Sequence, residues 1–153
     1  MAVCLWQATI VATPLENGLS MSERAATGWD SSFEEFREAP PKRIHERLRA
    51  FVRDASDAQL RTWSDAIPLL QSEVSTLLIQ NELARDYFAI LEYEMPMESR
   101  RADVVLLVGP GVMVIELKGK LYPSQADLDQ AAAYARDLHD RGKTSILDQQ
   151  YRR

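Results

Sequence analysis

The stretch "ESRRADVVLLVGPGVMVIELKGK", residues 98–120, decides the fold. Its two apolar runs, "VVLLV" at 104–108 and "VMVI" at 112–115, are short and continuous, the pattern of strands buried on both faces. Gly109-Pro110-Gly111 between them predicts a tight turn and therefore an antiparallel hairpin. Charged residues stand at the ends of these dry strands. Side chains alternate along a strand, so Asp103 shares a face with Val105 and Leu107, and Glu116 and Lys118 share one with Val112 and Val114. Asp103 and Glu116 lie at comparable distances from the turn, which makes them near neighbours at its open end. Two carboxylates this close repel one another unless a cation lies between them. Hard oxygen donors select Mg2+ or Mn2+.

Working outward, "YFAILEYEM" ending at Met95 reads as a third strand, rich in aromatic and aliphatic residues and closed by Pro96. Upstream, "WDSSFEEF" from Trp29 suggests a short helix capped by Asp30 or Ser31 and stopped by "APPK". "KRIHERLRAFVRDA" puts Ile44, Leu48, Phe51 and Val52 on one helical face with basic residues opposite. From Ser56, Trp63, Ile67, Leu70, Val74, Leu77 and Leu78 recur at helical spacing, although Pro68 could divide the run into two helices. "SQADLDQAAAYARDLHD" predicts a last helix with Ser124 as its N-cap.

At 153 residues, 46% hydrophobic and 27% charged, the composition is that of an ordinary globular domain. No apolar run approaches the ~20 residues that span a bilayer, so no membrane partner is expected. A single cysteine, Cys4, excludes an intramolecular disulfide and points to a reducing, cytoplasmic setting. The opening "VCLWQATIVA" has the length of a signal-peptide core but no basic residue before it. Net charge is −5, which does not advertise nucleic-acid binding. Its distribution is uneven: residues 1–90 carry 13 acids against 9 bases, residues 91–153 carry 10 against 9. If several of the later acids belong to a site, the surface around them is locally basic.

"RRAD" followed by "IELK" resembles motifs II and III of the PD-(D/E)XK nucleases, the superfamily of many restriction endonucleases. Gln130 and Tyr134 in "DQAAAYARDL" match the Q-x-x-x-Y motif of its RecB-like, recombination-nuclease branch. The ensemble is similar to the nuclease-like N-terminal domain found ahead of superfamily I helicase modules in some bacterial proteins. The chain itself has no G-x-x-x-x-G-K-[ST] phosphate loop. An E-x-K triplet alone is a common accident. An aspartate thirteen residues earlier on the same hairpin, followed by a Q-x-x-x-Y helix, is much rarer.

The resemblance implies an α/β, restriction endonuclease-like core, with a central mixed sheet of at least three strands flanked by helices. It implies a Mg2+- or Mn2+-dependent nuclease acting on DNA, RNA less so, in DNA processing, repair or defence. Asp103 and Glu116 would hold the metal, helped by the Leu117 carbonyl, and Lys118 would orient water or stabilise the transition state. Gln130 and Tyr134 would position the strand, with Arg100, Arg101 and Lys120 on neighbouring phosphates. The family also places an acid on the helix before the strands; Glu73 fits best and Glu92 competes. The alternative is a catalytically inactive module of the same fold that binds nucleic acid or a protein.

Each residue also has an ordinary reading. Asp103 could merely begin a strand, bonded to local backbone. Glu116 and Lys118 could form an exposed pair worth under ~1 kcal/mol. Arg100 and Arg101 fit a solvated turn, and Gln130 an ordinary helix surface with Tyr134 in the core. His45 and His139 read as surface, Trp29, Trp63 and Phe36 as core, and Gly119 as a turn residue. The expected organisation is an extension at 1–20, a helical segment at 21–62, the core at 63–143 and a tail at 144–153. That tail offers only "TSIL" as a further strand: either this piece is the strand that shields the sheet edge, or the core is minimal, or the chain is a truncated relic whose homodimer covers the edge; a helicase/ATPase partner is the companion expectation.

Overall fold

The computed structural model describes residues 7–12, 26–95, 100–109, 111–117 and 125–142. Five strands form one sheet: β1 (Gln7–Ala12), β2 (Thr27–Ser32), β3 (Phe88–Glu94), β4 (Arg101–Val108) and β5 (Gly111–Glu116), in the order β1-β5-β4-β3-β2. Every pairing among the described residues is antiparallel, so the expected mixed sheet is corrected to an antiparallel one. The reason is local: β3, β4 and β5 follow one another through short connections, which favour antiparallel neighbours. The predicted hairpin is present, with Val108 paired to Gly111. Gly109 carries φ +59°, the conformation that a two-residue hairpin turn requires at its first position.

Two segments depart from expectation. Residues 7–12, read as part of an extension, pair with β5 along its whole length. They cover the β5 side of the sheet with an edge strand. "TGWDSS" is strand β2 rather than the start of a helix. Helix α1 (Phe33–Glu38) follows, its N-cap being Ser32 rather than the expected Asp30 or Ser31, and Ser32 forms a capping box with Glu35. Trp29 and Ser31 are buried along β2, and tertiary pairing with β3 overrides the weak helical signal.

Helix α2 (Pro41–Phe51) starts with Pro41 in its first turn and buries Ile44 and Leu48. Helix α3 (Asp57–Gln80) starts at its cap Ser56 and runs unbroken past Pro68. Helix α4 spans Gln125–Gly142; its expected cap Ser124 lies outside the described residues. The sheet is covered on both faces. On one, α1, α2 and α3 bury Phe33, Phe36, Ile44, Leu48, Trp63 and Ile67 against Leu91, Val104 and Ile115. On the other, Tyr134 of α4 packs with Ile90, Tyr93, Val105, Leu107 and Val114. No described helix is long and apolar enough to cross a membrane.

Candidate active site

The sheet register gathers polar residues onto one rung. Val104 pairs with Ile115, and one step further the same register sets Asp103 opposite Glu116. Leu91–Val104 and Tyr93–Ala102 bracket Glu92 opposite Asp103 on the other side. Gln7 of β1 pairs with Glu116, and the β2–β3 register sets Gly28 beside Glu92. The rung therefore reads Gln7, Glu116, Asp103, Glu92, Gly28 across all five strands.

Directly opposed residues in antiparallel strands present their side chains to the same face. Asp103 and Glu116 continue the rows of Val105 and Val114, on the side covered by α4. Asp103 is half-buried, and its Oδ2 accepts the Leu117 backbone N–H at 2.6 Å, which ties the end of β5 to β4. Glu116 is only 4% exposed. Its Oε2 accepts from Gln130 Nε2 at 3.3 Å, and that same nitrogen lies 3.3 Å from the Tyr134 hydroxyl. Gln130 and Tyr134 are one helical turn apart, so both reach the site from a single face of α4. The Tyr134 ring is buried, and the Arg100 guanidinium lies over it at 5.2 Å. Arg100 also bonds Asp137 Oδ2 at 2.8 Å.

Glu92 behaves differently. It has φ +53°, the one positive φ of a non-glycine residue among those described. Such a conformation costs of order 1–3 kcal/mol and persists when its surroundings hold it. It also shifts the alternation of β3: Ile90 belongs to the α4 side and Leu91 to the α3 side, yet Tyr93 returns to the α4 side. Glu92 thus turns toward α3, where Trp63 Nε1–H donates to its Oε1 at 2.9 Å and Gln59 Nε2–H at 3.3 Å. Arg101 Nε stands 3.4 Å from its Oε2. Burial pushes the Glu92 carboxyl above the usual carboxylate range, and the Asp103 charge pushes it further; Trp63, Gln59 and Arg101 pull the other way. Burial also pushes Tyr93 up to about 12.

The expected site residues therefore divide. Asp103, Glu116, Gln130 and Tyr134 come together. Glu73 does not join them: it is exposed on α3, ten residues past Trp63, about 15 Å farther along the helix axis than the contact with Glu92. Glu92, its competitor, is the acid on the rung. Arg100 and Arg101, expected to grip phosphates, are each engaged internally, with Asp137 and Glu92, while remaining partly exposed. Lys118, Lys120 and Gly119 lie outside the described residues. His45, read as surface, is half-buried: its Nε2 lies 3.2 Å from the Leu60 carbonyl and its ring stands edge-on to Trp63.

Asp103 and Glu116 offer hard oxygen donors on one rung, a set that suits Mg2+, which is commonly held by one or two carboxylates with water and phosphate completing the shell. Among the described residues no group of three or more His, Cys, Asp or Glu could hold a metal ion. Glu92 is turned away into its own hydrogen bonds. Its signal in sequence was an acid inside the apolar run "AILEY"; Gln7, paired across a large chain separation, gave none. The chain matches no protein-family model, no curated protein and no solved structure.

Proposed function

We propose that this chain is a metal-dependent nuclease that hydrolyses phosphodiester bonds of DNA, built on a restriction endonuclease-like core. The observation that carries the reading is the meeting of Asp103 with Glu116 on adjacent strands, with Gln130 bonded to Glu116 and to Tyr134. The order α3, β3, β4, β5, α4 is also the helix, three strands, helix that such a core requires.

A divalent ion held by Asp103 and Glu116 would supply Lewis acidity, making water a better nucleophile and neutralising phosphate charge. The residues of the chain supply position. Asp103 is fixed by the Leu117 N–H, and Glu116 by Gln130, so both carboxylates are oriented before any ligand arrives. Tyr134 holds Gln130, and Arg100 braces Tyr134 from above while keeping part of its charge at the surface. Lys118, two residues beyond Glu116, is the cation assigned to the attacking water or the developing charge.

The test is cleavage of plasmid and single-stranded DNA with Mg2+ or Mn2+, and with EDTA. Activity should fall to background in Asp103→Asn, Glu116→Gln and Lys118→Ala. Variants that cut like the parent would end the nuclease reading. Metal-independent DNA binding without cleavage by the parent would favour the inactive binding module.

A further inference from the structure

Among the described residues, the exposed face of α2 and the turn after it hold the largest concentration of positive charge that the candidate site does not use. Between Pro41 and Asp54 stand five cations, Lys42, Arg43, Arg47, Arg49 and Arg53, against two anions, Glu46 and Asp54, in a chain of net charge −5. Lys42, Arg43, Arg47 and Arg49 are exposed because Ile44 and Leu48 turn the opposite face of the helix into the core, and Arg53 is exposed in the turn just past its end. Lys42 pairs loosely with Glu46 at 3.8 Å. Among the described residues Arg43, Arg47, Arg49 and Arg53 have no ion-pair partner. Arg47 lies 5.0 Å over the Trp29 ring, which fixes one guanidinium against the body of the protein.

Helix α2 packs at the same end of the sheet as the polar rung, on the face opposite α4. Leu48 and Glu92 converge on Gly28: a Cβ built there would lie 2.7 Å from Leu48 Cδ2 and 3.1 Å from Glu92 Cβ. His45 of α2 also packs on Trp63, which holds Glu92. A chain of direct contacts therefore joins the helix to Glu92, the acid that shares a rung with Asp103 but is turned to the α3 face of the sheet.

We infer that the exposed face of α2 is a docking surface for the phosphate backbone of nucleic acid. The inference rests on the nuclease reading and adds how the substrate is held outside the hydrolytic centre. Its warrant is charge complementarity. An 11-residue helix is about 16 Å long, a length over which duplex DNA presents roughly nine phosphates. Arginines suit phosphate because their fork of donors can engage two oxygens at once. Arg100 and Arg101 are tied to Asp137 and Glu92, so among the described residues the arginines of α2 and the turn after it are the largest group of cations left to carry the sequence-independent share of binding.

The test is fluorescence anisotropy of a labelled DNA duplex with the full chain in EDTA, across a salt series. The triple variant Arg43→Gln, Arg49→Gln, Arg53→Gln keeps Arg47 on Trp29 and alters exposed positions alone. Its affinity should fall about tenfold or more at low salt, and its salt slope by about 2–3, near one per phosphate contact removed. The control Arg37→Gln, Arg85→Gln should bind like the parent. If the triple variant melts early, each single variant should still lower the slope by about one. Unchanged affinity and slope in the triple variant would overturn the inference, and so would an equal loss in the control. It would also fail if the triple variant lost binding to phosphatidylserine vesicles while holding DNA as before. Cleavage assayed in parallel separates the two claims: a parent that binds through α2 and never cuts sinks the nuclease reading alone, whereas a triple variant that binds and cuts like the parent sinks the docking surface alone.

Discussion

Two parts of the same sheet follow opposite rules. From Val104 to Leu107 and from Val112 to Ile115, strands β4 and β5 present apolar side chains to both faces, and most are almost wholly buried. One rung lower, four of the five strands contribute a polar residue, Gln7, Glu116, Asp103 and Glu92, and the fifth contributes Gly28. The dry rungs are held by contact with apolar groups of whatever shape fits. The polar rung is held by named partners: Leu117 N–H for Asp103, Gln130 for Glu116, and Trp63, Gln59 and Arg101 for Glu92. Burying carboxylates costs free energy unless their oxygens are satisfied. The polar rung therefore depends on specific partners, whereas the dry rungs are sufficiently explained by apolar burial.

The sharpest way to break this contrast is to damage one region and watch the property assigned to the other. Leu107→Ala, in the dry rungs, should cost about 2–5 kcal/mol in urea unfolding while leaving the activity of the remaining folded protein near that of the parent. Gln130→Ala should do the reverse. If Glu116 holds the proposed ion, loss of its outer partner should lower activity or metal affinity about 10–100-fold, while the loss of a donor to a buried carboxylate should cost less stability than Leu107→Ala. A Gln130→Ala variant that loses stability but not activity would assign the helix contact to packing.

Gly28 probes the end of the polar rung. In Gly28→Ala the new methyl group meets Leu48 at 2.7 Å and Glu92 at 3.1 Å. Because Leu48 is itself buried, the crowding should cost about 1–3 kcal/mol. The smallest effect concerns pH. Glu92 has its carboxyl raised above 4.5 in the folded chain, so in the window above that value the native state binds more protons than the unfolded state. Its stabilising contribution is present in full below the unfolded value and is lost as pH rises through the folded one. In EDTA, the parent's melting temperature should therefore carry a downward component from about pH 4.5 upward. Glu92→Gln, whose carbonyl can still accept from Trp63, should flatten it. Equal slopes in the two proteins would show that Glu92 is not held at a charge cost.

Much of this molecule is written locally. The alternation around Gly109-Pro110-Gly111 placed Asp103 and Glu116 as near neighbours on adjacent strands, because a hairpin couples register to residue count through a short turn. Helical spacing identified α2 and α3, since one apolar stripe suffices to specify a buried face. Gln130 and Tyr134 were legible together as residues one turn apart.

Other features needed the assembled fold. Strand β1 reaches β5 across about a hundred residues, and no local pattern encodes so distant a pairing. Strand β2 carries weak β signals in "TGWDSS" and is a strand because β3 stands beside it. The contest between Glu73 and Glu92 was likewise undecidable from spacing, since both precede the hairpin. The left-handed backbone at Glu92 turns its carboxyl toward Trp63, and the axial rise of α3 carries Glu73 away. The sequence by itself thus determined which side chains share a strand, a turn or a helical face, because those relations depend on bond geometry within a few residues. The tertiary structure decided which of them meet across the sheet and which acid is buried, because those outcomes depend on packing between segments far apart in the chain.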